Sequence, residues 1–263
     1  MSALSILQAE GYACQRITFS GSVNIKQIGH AIVHLDDYNE DYLIPLPDVK
    51  VSGLISGTPY PEITGTYDIV SSNGFVAEVD FSGKRLLGLS GKKNQFQAGV
   101  YRADDTKRKH PIYEIEGAWN DKFRIHDVAN KADLGTWNTN EQTPTTLNVA
   151  PVNEQDPWES RRAWSGVIDS LDCGDMQGAS DAKSMIEQGQ RDMRKQEAWQ
   201  GSSWQPVFFV RQDCDDVFAK LASAAGDQHG EDASQGFWRF NRARAQQAQQ
   251  PYHGNLHPDH ATT

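Results

Sequence analysis

Residues 17–35 read ITFSGSVNIKQIGHAIVHL, and this stretch sets the expectation for the fold. It is rich in β-branched and apolar residues, which favour extended strands. Ser20 and Gly21 interrupt it with the residue types that are typical of a tight turn. The stretch therefore predicts two β-strands joined by a short turn.

Short runs of similar composition continue towards residue 128, and turn-forming residues separate many of them. In residues 75–81, apolar side chains at odd positions alternate with mostly polar ones, which is the period of a strand with one apolar face. Strands at this spacing predict an antiparallel meander, as either a sandwich or a barrel. The expected strands are 41–46, 49–55, 66–70, 75–81, 95–101, 112–119 and 123–128.

The sequence changes near residue 140, where a loop rich in Pro, Asn and Thr gives way to helical patterns. The middle helix is the best defined: Ser180 or Asp181 is the expected N-cap, and Gly201 is the expected end. Strands followed by helices predict an α+β fold rather than alternating βαβ units. The expected helices cover 158–171, 180–199 and 215–225.

Composition narrows the function classes. The chain has 263 residues and a formal net charge of -10, which argues against nucleic-acid binding by bulk attraction to phosphates. No apolar run approaches the roughly 18 residues of a membrane-spanning helix. The cysteines are an odd number, far apart and without a CxxC pair, so reduced thiols in a cytoplasmic protein are expected. They are Cys14, Cys173 and Cys214.

The sequence motifs of catalytic and metal sites are missing. There is no GxSxG nucleophile turn, and His30 and His34 have no acidic residue between them and no third ligand. The GLSGKK stretch (88–93) lacks the spacing of a nucleotide-binding phosphate loop. We therefore expect no enzyme activity, no metal and no cofactor.

Three charged residues stand out on the middle helix. Lys183, Glu187 and Arg191 are spaced four apart, so they form one stripe about 12 Å long. Taken alone, the stripe favours ordinary solvated ion pairs. The alternative is a polyol-phosphate site, because Arg and Lys bind phosphate while Glu accepts hydrogen bonds from ring hydroxyls.

Longer motifs extend over nearly the whole chain, and together they resemble the lipid-binding domain of the oxysterol-binding protein family, especially its short fungal-type members. They are ITFSGSVNIKQIGHA (17–31), YLIPLPDVKVSGLISGTPYPEITGT (42–66), FSGK (81–84), SGKKNQF (90–96), LNVAPVNEQDPWESRRAW (147–164), KSMIEQGQRDMRK (183–195), SSWQPVFF (202–209), FWRFNRA (237–243) and PYHG (251–254).

The resemblance implies a near-complete antiparallel β-barrel around a lipid tunnel, flanked by helices. It also implies non-vesicular lipid transfer, in which a sterol or another lipid is exchanged for phosphatidylinositol 4-phosphate during transient contact with organelle membranes. The expected domain covers residues 1–250, with a barrel part (1–145), a helical part (146–250) and a tail (251–263). Exposed basic turns are candidate membrane contacts, at Lys92, Lys93, Lys107, Arg108 and Lys109.

The resemblance also reverses the interpretation of the charged stripe. Lys183, Glu187 and Arg191 match the family's headgroup site, with Arg191 at the ring phosphate and the other two at the inositol ring. Gln27 matches a glutamine that lines the tunnel in sterol-binding members, where it joins a water-mediated polar network.

Two departures from the family pattern change the expectation. The signature Glu-Gln-Val-Ser-His-His-Pro-Pro is absent, and Ala13 stands where some sterol binders carry asparagine. We therefore expect an α+β fold with an incomplete antiparallel β-barrel that encloses a lipid tunnel and is followed by C-terminal helices. Lipid transfer is expected to be impaired in this chain. The alternative is a non-transporting remnant that acts as an interaction or regulatory module.

Overall fold

The computed structural model describes residues 7–54, 57–81, 93–144, 146, 148–213, 215–225 and 237–252. Strands come first and helices follow, which confirms the α+β class. Eleven strands form one sheet: β1 (Leu7–Phe19), β2 (Val23–Leu35), β3 (Glu40–Pro45), β4 (Asp48–Ser52), β5 (Tyr60–Thr64), β6 (Thr66–Ser71), β7 (Phe75–Asp80), β8 (Gln95–Arg102), β9 (Tyr113–Ala118), β10 (Lys122–Asp127) and β11 (Ala132–Asn138). The other elements are α1 (Ser160–Ala163), α2 (Ser165–Asp172), α3 (Met176–Gln200), β12 (Phe209–Gln212), α4 (Asp216–Ala225), β13 (Phe237–Phe240) and α5 (Arg242–Gln247).

The hairpin expected from residues 17–35 is present and is longer than the sequence indicated. β1 and β2 pair without interruption from Leu7 opposite Leu35 to Phe19 opposite Val23. Gly21 makes the turn with a φ of 76°, a conformation that costs glycine little. Because the register is continuous, residues directly opposite each other share one face of the sheet along the whole hairpin.

The next four strands form two antiparallel pairs beside β2. β3 pairs with β6, and β4 pairs with β5. β3 pairs with the second half of β2, and β4 pairs with its first half. Pro45 and Pro47 lie at the bend between β3 and β4, and Gly65, with a φ of 95°, lies between β5 and β6. β2 therefore changes partner between Ile25 and His30.

A simple meander continues from β6 to β11, and every pairing in the sheet is antiparallel. Over the described residues the sheet does not close, since β1, β5 and β11 each pair with one neighbouring strand. The strands expected from the sequence included neither β5 nor β11.

The largest core lies on one face of this sheet. Leu43 and Val76 are completely buried, and Val70 between them is 1% exposed. Phe218 and Leu221 of α4, with Phe237 of β13, cover these side chains. The apolar residues of β3, β6 and β7 on this face are thus removed from water, which is the main stabilising contribution here.

A polar cluster ties the same segments to β2. The Arg239 guanidinium donates to Asp215 Oδ2 over 2.5 Å and lies 3.3 Å from His30 Nε2. His30 is fully buried, and its ring packs on Phe218 at a centroid distance of 4.5 Å. The cluster satisfies polar groups that would be costly to bury unpaired.

Helix α3 begins earlier than the sequence suggested. Its N-cap is Asp175, whose carboxylate accepts from the Gly178 backbone N–H, so the expected caps Ser180 and Asp181 are wrong. Gly201 ends the helix with a φ of 66°, as expected. The expected helix 158–171 is divided into α1 and α2 at Trp164.

The chain forms two compact units. The first comprises residues 1–143 and 211–239, and the second comprises 144–210 and 240–263. Residues 211–239 thus belong with the sheet, although they lie within the stretch expected to be the helical part. In the second unit, Val167 of α2 packs against Ala179 and Ile186 of α3.

Candidate functional site

The three residues of the charged stripe, Lys183, Glu187 and Arg191, form one bonded row on α3. Lys183 Nζ donates to Glu187 Oε1 over 2.5 Å, and Arg191 Nη2 donates to Glu187 Oε2 over 3.3 Å. One carboxylate therefore holds two cations at once. The row keeps a net positive charge and offers donors for a phosphate beside a carboxylate that accepts from hydroxyls.

The stripe faces water because the other side of α3 is apolar. Ala179, Ile186 and Met193 recur every seven residues and are buried, which fixes the rotation of the helix. The three stripe side chains are 53%, 41% and 58% exposed in chain order. Exposed ion pairs of this kind contribute little to stability, so the stripe is not needed to hold the fold together.

The electrostatics of the stripe keep its carboxylate charged. The hydrogen bond from Lys183, with the charges of Lys183 and Arg191, lowers the pKa of Glu187 below its ordinary value. Glu187 is therefore ionised throughout the neutral range. It can hold both cations in position before any ligand arrives.

A second feature lies in the sheet unit. The odd-numbered residues of β1 and β2 share one face, and most of them are apolar. All those of β1 are exposed, including Ile17 and Phe19 at 64% and 74%. In β2 only Gly29 is buried among them. We call this surface the open face; the register extends it to Tyr42 and Ile44 of β3 and to Val49 and Val51 of β4.

The open face continues across the meander as a row of aromatic rings. Centroid distances are 6.3 Å from Tyr67 to Phe81, 6.1 Å from Phe81 to Phe96, and 5.7 Å from Phe96 to Phe123. The register places Tyr67, Phe96 and Phe123 on the same face as Tyr42, and Phe81 follows the end of β7 and packs between Tyr67 and Phe96. On the opposite face of β7 to β10 the side chains are mainly charged or polar. A sheet that is apolar on this face, which α4 does not cover, is suited to an apolar ligand.

Gln27, the predicted tunnel residue, lies on the open face at the point where β2 changes partner. Its side-chain amide donates to the Pro47 carbonyl over 2.5 Å, and its backbone N–H donates to Asp48 Oδ1 over 2.9 Å. Both bonds satisfy backbone groups that no β-ladder reaches. Gln27 thus has a structural role in addition to the predicted contact with ligand.

Sequence reasoning missed the partner of Gln27. Gln15 lies directly opposite on β1 and donates to Gln27 Oε1 over 3.4 Å. Recognising β1 as a strand would have brought the two together. The aromatic row was also missed. Its rings are aligned by the pairing between strands, which spacing along the chain does not show.

The basic turn residues have different roles. Lys107 and Lys109 are exposed, as a membrane contact requires. Arg108 instead pairs with Asp68 over 3.1 Å and is largely buried. The Lys93 ammonium lies 3.5 Å from the centre of the Tyr60 ring.

Several residues considered above lie outside the described part of the chain, among them 82–92, Cys214 and 253–263.

Two further properties concern only the described residues. No helix among them is long and apolar enough to cross a membrane. They also contain no group of three or more His, Cys, Asp or Glu side chains arranged to hold a metal ion.

Comparison with known proteins gives consistent results at the level of sequence. The family model described as oxysterol-binding protein matches residues 8–169. The chain is 57% identical over 253 residues to "Probable transporter efuK" of Hormonema carpetanum, covering 96% of this chain and 36% of that protein. It is 35% identical over 240 residues to "Protein kes1" of Schizosaccharomyces pombe, covering 90% and 60%. The chain thus spans between about a third and three fifths of these relatives.

Solved structures show the same fold. A crystal structure of the Osh1 ORD domain with cholesterol has a TM-score of 0.63 at 18% identity, covering 92% of this chain and 60% of that one. The Osh3 ORD of Saccharomyces cerevisiae with PI(4)P has a TM-score of 0.56 at 15% identity, covering 86% and 64%.

Proposed function

The chain belongs to the oxysterol-binding protein family, and from this we propose that it binds lipid and takes part in non-vesicular lipid transfer between membranes. In this proposal the open face binds the apolar ligand, which is a sterol or another lipid. The charged stripe binds the headgroup of phosphatidylinositol 4-phosphate. Cholesterol and PI(4)P are the ligands named for the two related domains above.

The open face is the observation that carries the proposal. Sheets with one apolar face normally cover it, as α4 and β13 do on the opposite side. Ile17, Phe19 and Leu7 nevertheless remain more than half exposed. Covering about 300 Å² of such surface with a lipid would contribute roughly 7 kcal/mol to binding.

The chemistry of the charged stripe supports the headgroup assignment. A monophosphate on an inositol ring needs cationic donors for the phosphate and an acceptor for the neighbouring hydroxyls. In the proposed arrangement Arg191 donates to the phosphate, Lys183 donates to the inositol ring, and Glu187 accepts from the ring hydroxyls. A matched control is available on another element, because Lys122 of β10 is an exposed cation that lies outside α3.

Exchange between membranes requires contact that is local and reversible. The net charge of -10 opposes general adhesion to anionic lipid surfaces. Exposed Lys107 and Lys109 are the proposed points of contact, acting in the cytoplasm on organelle membranes. We propose binding and carriage of lipid with no bond made or broken.

Extraction from vesicles tests this function. Vesicles that contain a fluorescent sterol are incubated with the purified chain and removed by sedimentation, and sterol is measured in the supernatant. We expect sterol to be solubilised up to one molecule per chain, since the open face is a finite site. A folded chain that leaves all sterol in the pellet would refute the proposed function.

A further inference from the structure

β1 is a long strand at the edge of the sheet. It covers 13 residues, Leu7–Phe19, whereas strands are usually about 5–6 residues long. One side of β1 pairs with β2, and no other strand of the described part of the chain pairs with its second side. Backbone N–H and C=O groups on an open side of this kind can hydrogen-bond to another extended chain.

β1 also lacks several devices that protect sheet edges from pairing. The strand contains no proline and no lysine, and its register with β2 runs without a bulge. Most of its residues are exposed, among them Ala9, Ala13 and Arg16. Over the described part of the chain this edge is therefore accessible to a partner strand.

The charges of β1 are complementary to those of a second, antiparallel copy of the same strand. When two copies pair over their whole length, Ala13 of one lies opposite Ala13 of the other at the centre. Glu10 of each copy then lies opposite Arg16 of the other, which gives two pairs of opposite charge. A shift of two residues in either direction, the smallest that keeps every side chain on its face, breaks both pairs.

The same register matches the apolar side chains. Leu7 of one copy lies opposite Phe19 of the other, and Ala9 lies opposite Ile17. Leu7, Ile17 and Phe19 are each more than half exposed in the single chain. Pairing would thus remove apolar surface of the open face from water at both ends of the contact.

A neighbouring residue of β2 favours a carboxylate beside Arg16. Lys26 lies directly opposite Arg16 in the pairing of β1 with β2, and both residues are exposed. Like charges that face each other on neighbouring strands repel. Glu10 of a second copy would lie on the other side of Arg16 and offset part of this repulsion.

We propose that two copies of this chain associate through β1, in an antiparallel pairing centred on Ala13. The contact has two-fold symmetry, so the same strand of each copy supplies both halves of it. It joins the two sheets into one and places the two open faces side by side on the same surface. The contact needs no lipid, so its test is independent of the proposed function.

Sedimentation equilibrium of the full chain, without lipid, measures the association. We expect a concentration-dependent equilibrium between monomer and dimer. Glu10→Arg and Arg16→Glu each place like charges opposite each other in both pairs, and each should raise the dissociation constant of the dimer about tenfold or more. An equimolar mixture of the two variants restores both opposite-charge pairs and should dimerise with a dissociation constant within about threefold of wild type.

Disulfide cross-linking tests the register. The three native cysteines are first replaced by serine. Ala13→Cys then places two thiols opposite each other at the centre of the contact, within reach of a disulfide. Ala9→Cys is the matched control, because Ala9 is also exposed but its two copies would lie about 27 Å apart. We expect oxidation to give a covalent dimer of Ala13→Cys and not of Ala9→Cys.

Several results would overturn the proposed contact. A wild-type chain that stays monomeric at every concentration would refute it, as would a dimer that Glu10→Arg does not weaken or a mixture of the charge variants that does not associate. Equal cross-linking of Ala9→Cys and Ala13→Cys would indicate random association of exposed strands. Thermal unfolding checks that each variant is folded, and if a charge variant is not, the cross-linking of Ala13→Cys against Ala9→Cys decides.

Discussion

Phe96 and Phe123 belong to strands that are not neighbours, yet their rings meet edge to face at a centroid distance of 5.7 Å. The strand between them contributes Gly117, which lies opposite both residues. A side chain at this position would separate the rings. The aromatic row of the open face therefore depends on a glycine in the middle of a strand, where glycine is otherwise unfavourable.

Gly117→Ala should destabilise the chain by about 1–3 kcal/mol, with urea or thermal unfolding as the measurement. Gly117 has a φ of 150°, and an added Cβ would lie 2.3 Å from the Lys122 carbonyl oxygen and 2.5 Å from Phe123 Cα. The control is Gly135→Ala in β11, where φ is also positive but the added Cβ meets nothing within 4 Å. Equal losses in both variants would show that crowding at Gly117 has no effect.

Most of the sheet could be predicted because its strands alternate or are bounded by turn residues, as around residues 75–81. β1 was only partly recognised, since Gly11, Ala13 and Gln15 weaken its apolar period. β5 was not expected, because a proline such as Pro61 is unfavourable inside a strand. Gly178 lowers the helix propensity of the first turn of α3, so its true cap at Asp175 was missed.

Lys183→Ala and Arg191→Ala should each weaken binding to vesicles that contain phosphatidylinositol 4-phosphate, by about tenfold or more. The reason is the loss of a charge-assisted hydrogen bond to the phosphate or to the ring. Sedimentation with vesicles over a range of chain concentrations measures the change.

Lys122→Ala is the control for the stripe, since Lys122 is an exposed cation of β10 and lies outside α3. It removes the same charge and should change binding by less than about twofold if position in the chain matters. An equal effect of Lys183→Ala and Lys122→Ala would indicate general attraction to anionic lipid and would argue against a headgroup site.

Gln27→Leu should reduce the free energy of unfolding by about 1–2 kcal/mol even without ligand. The Pro47 carbonyl would lose the donor that satisfies it where β2 changes partner. Urea unfolding measures the effect, and Gln97→Leu is the control on the polar face. A Gln27→Leu chain as stable as wild type would contradict the structural role of this amide.

The environment of Asp215 makes the stability of the fold depend on pH. Burial alone would raise the pKa of its carboxyl, but hydrogen bonds from Arg239 and the Phe218 backbone N–H outweigh burial and lower the pKa below 3.8. The charged carboxylate therefore stabilises the fold above about pH 4, and this contribution is lost as the pH falls through the lowered value. Asp215→Asn should make the loss of stability between about pH 5 and pH 2 smaller than in wild type.

Asp216→Asn is the matched control for this titration, because Asp216 is the neighbouring, exposed aspartate at the start of α4. The bond between Asp215 and Arg239 stays intact in this variant, so the loss of stability on acidification should remain larger than in Asp215→Asn. If Asp215→Asn and wild type lose the same stability on acidification, the ion pair with Arg239 is not linked to folding.

The candidate site could be predicted only in part. The charged stripe was visible in the sequence because its residues share one helix and one spacing. Gln15 and the aromatic row were not visible, since contacts such as that of Phe96 with Phe123 form between separate strands. The register of the sheet brings these residues together on one surface, and a single sequence does not determine that register.

The central claim is that the open face binds lipid, and titration of the chain with a fluorescent sterol tests it most directly. Ile25 lies in the middle of the face opposite Ile17, so Ile25→Glu places a charge where the ligand would bury apolar surface. Trp199→Ala, on the surface of the second unit, is the control. We expect saturable binding of one sterol per chain that Ile25→Glu abolishes and Trp199→Ala leaves unchanged. Absence of saturable binding by the folded chain, or equal binding by a folded Ile25→Glu variant, would contradict the claim.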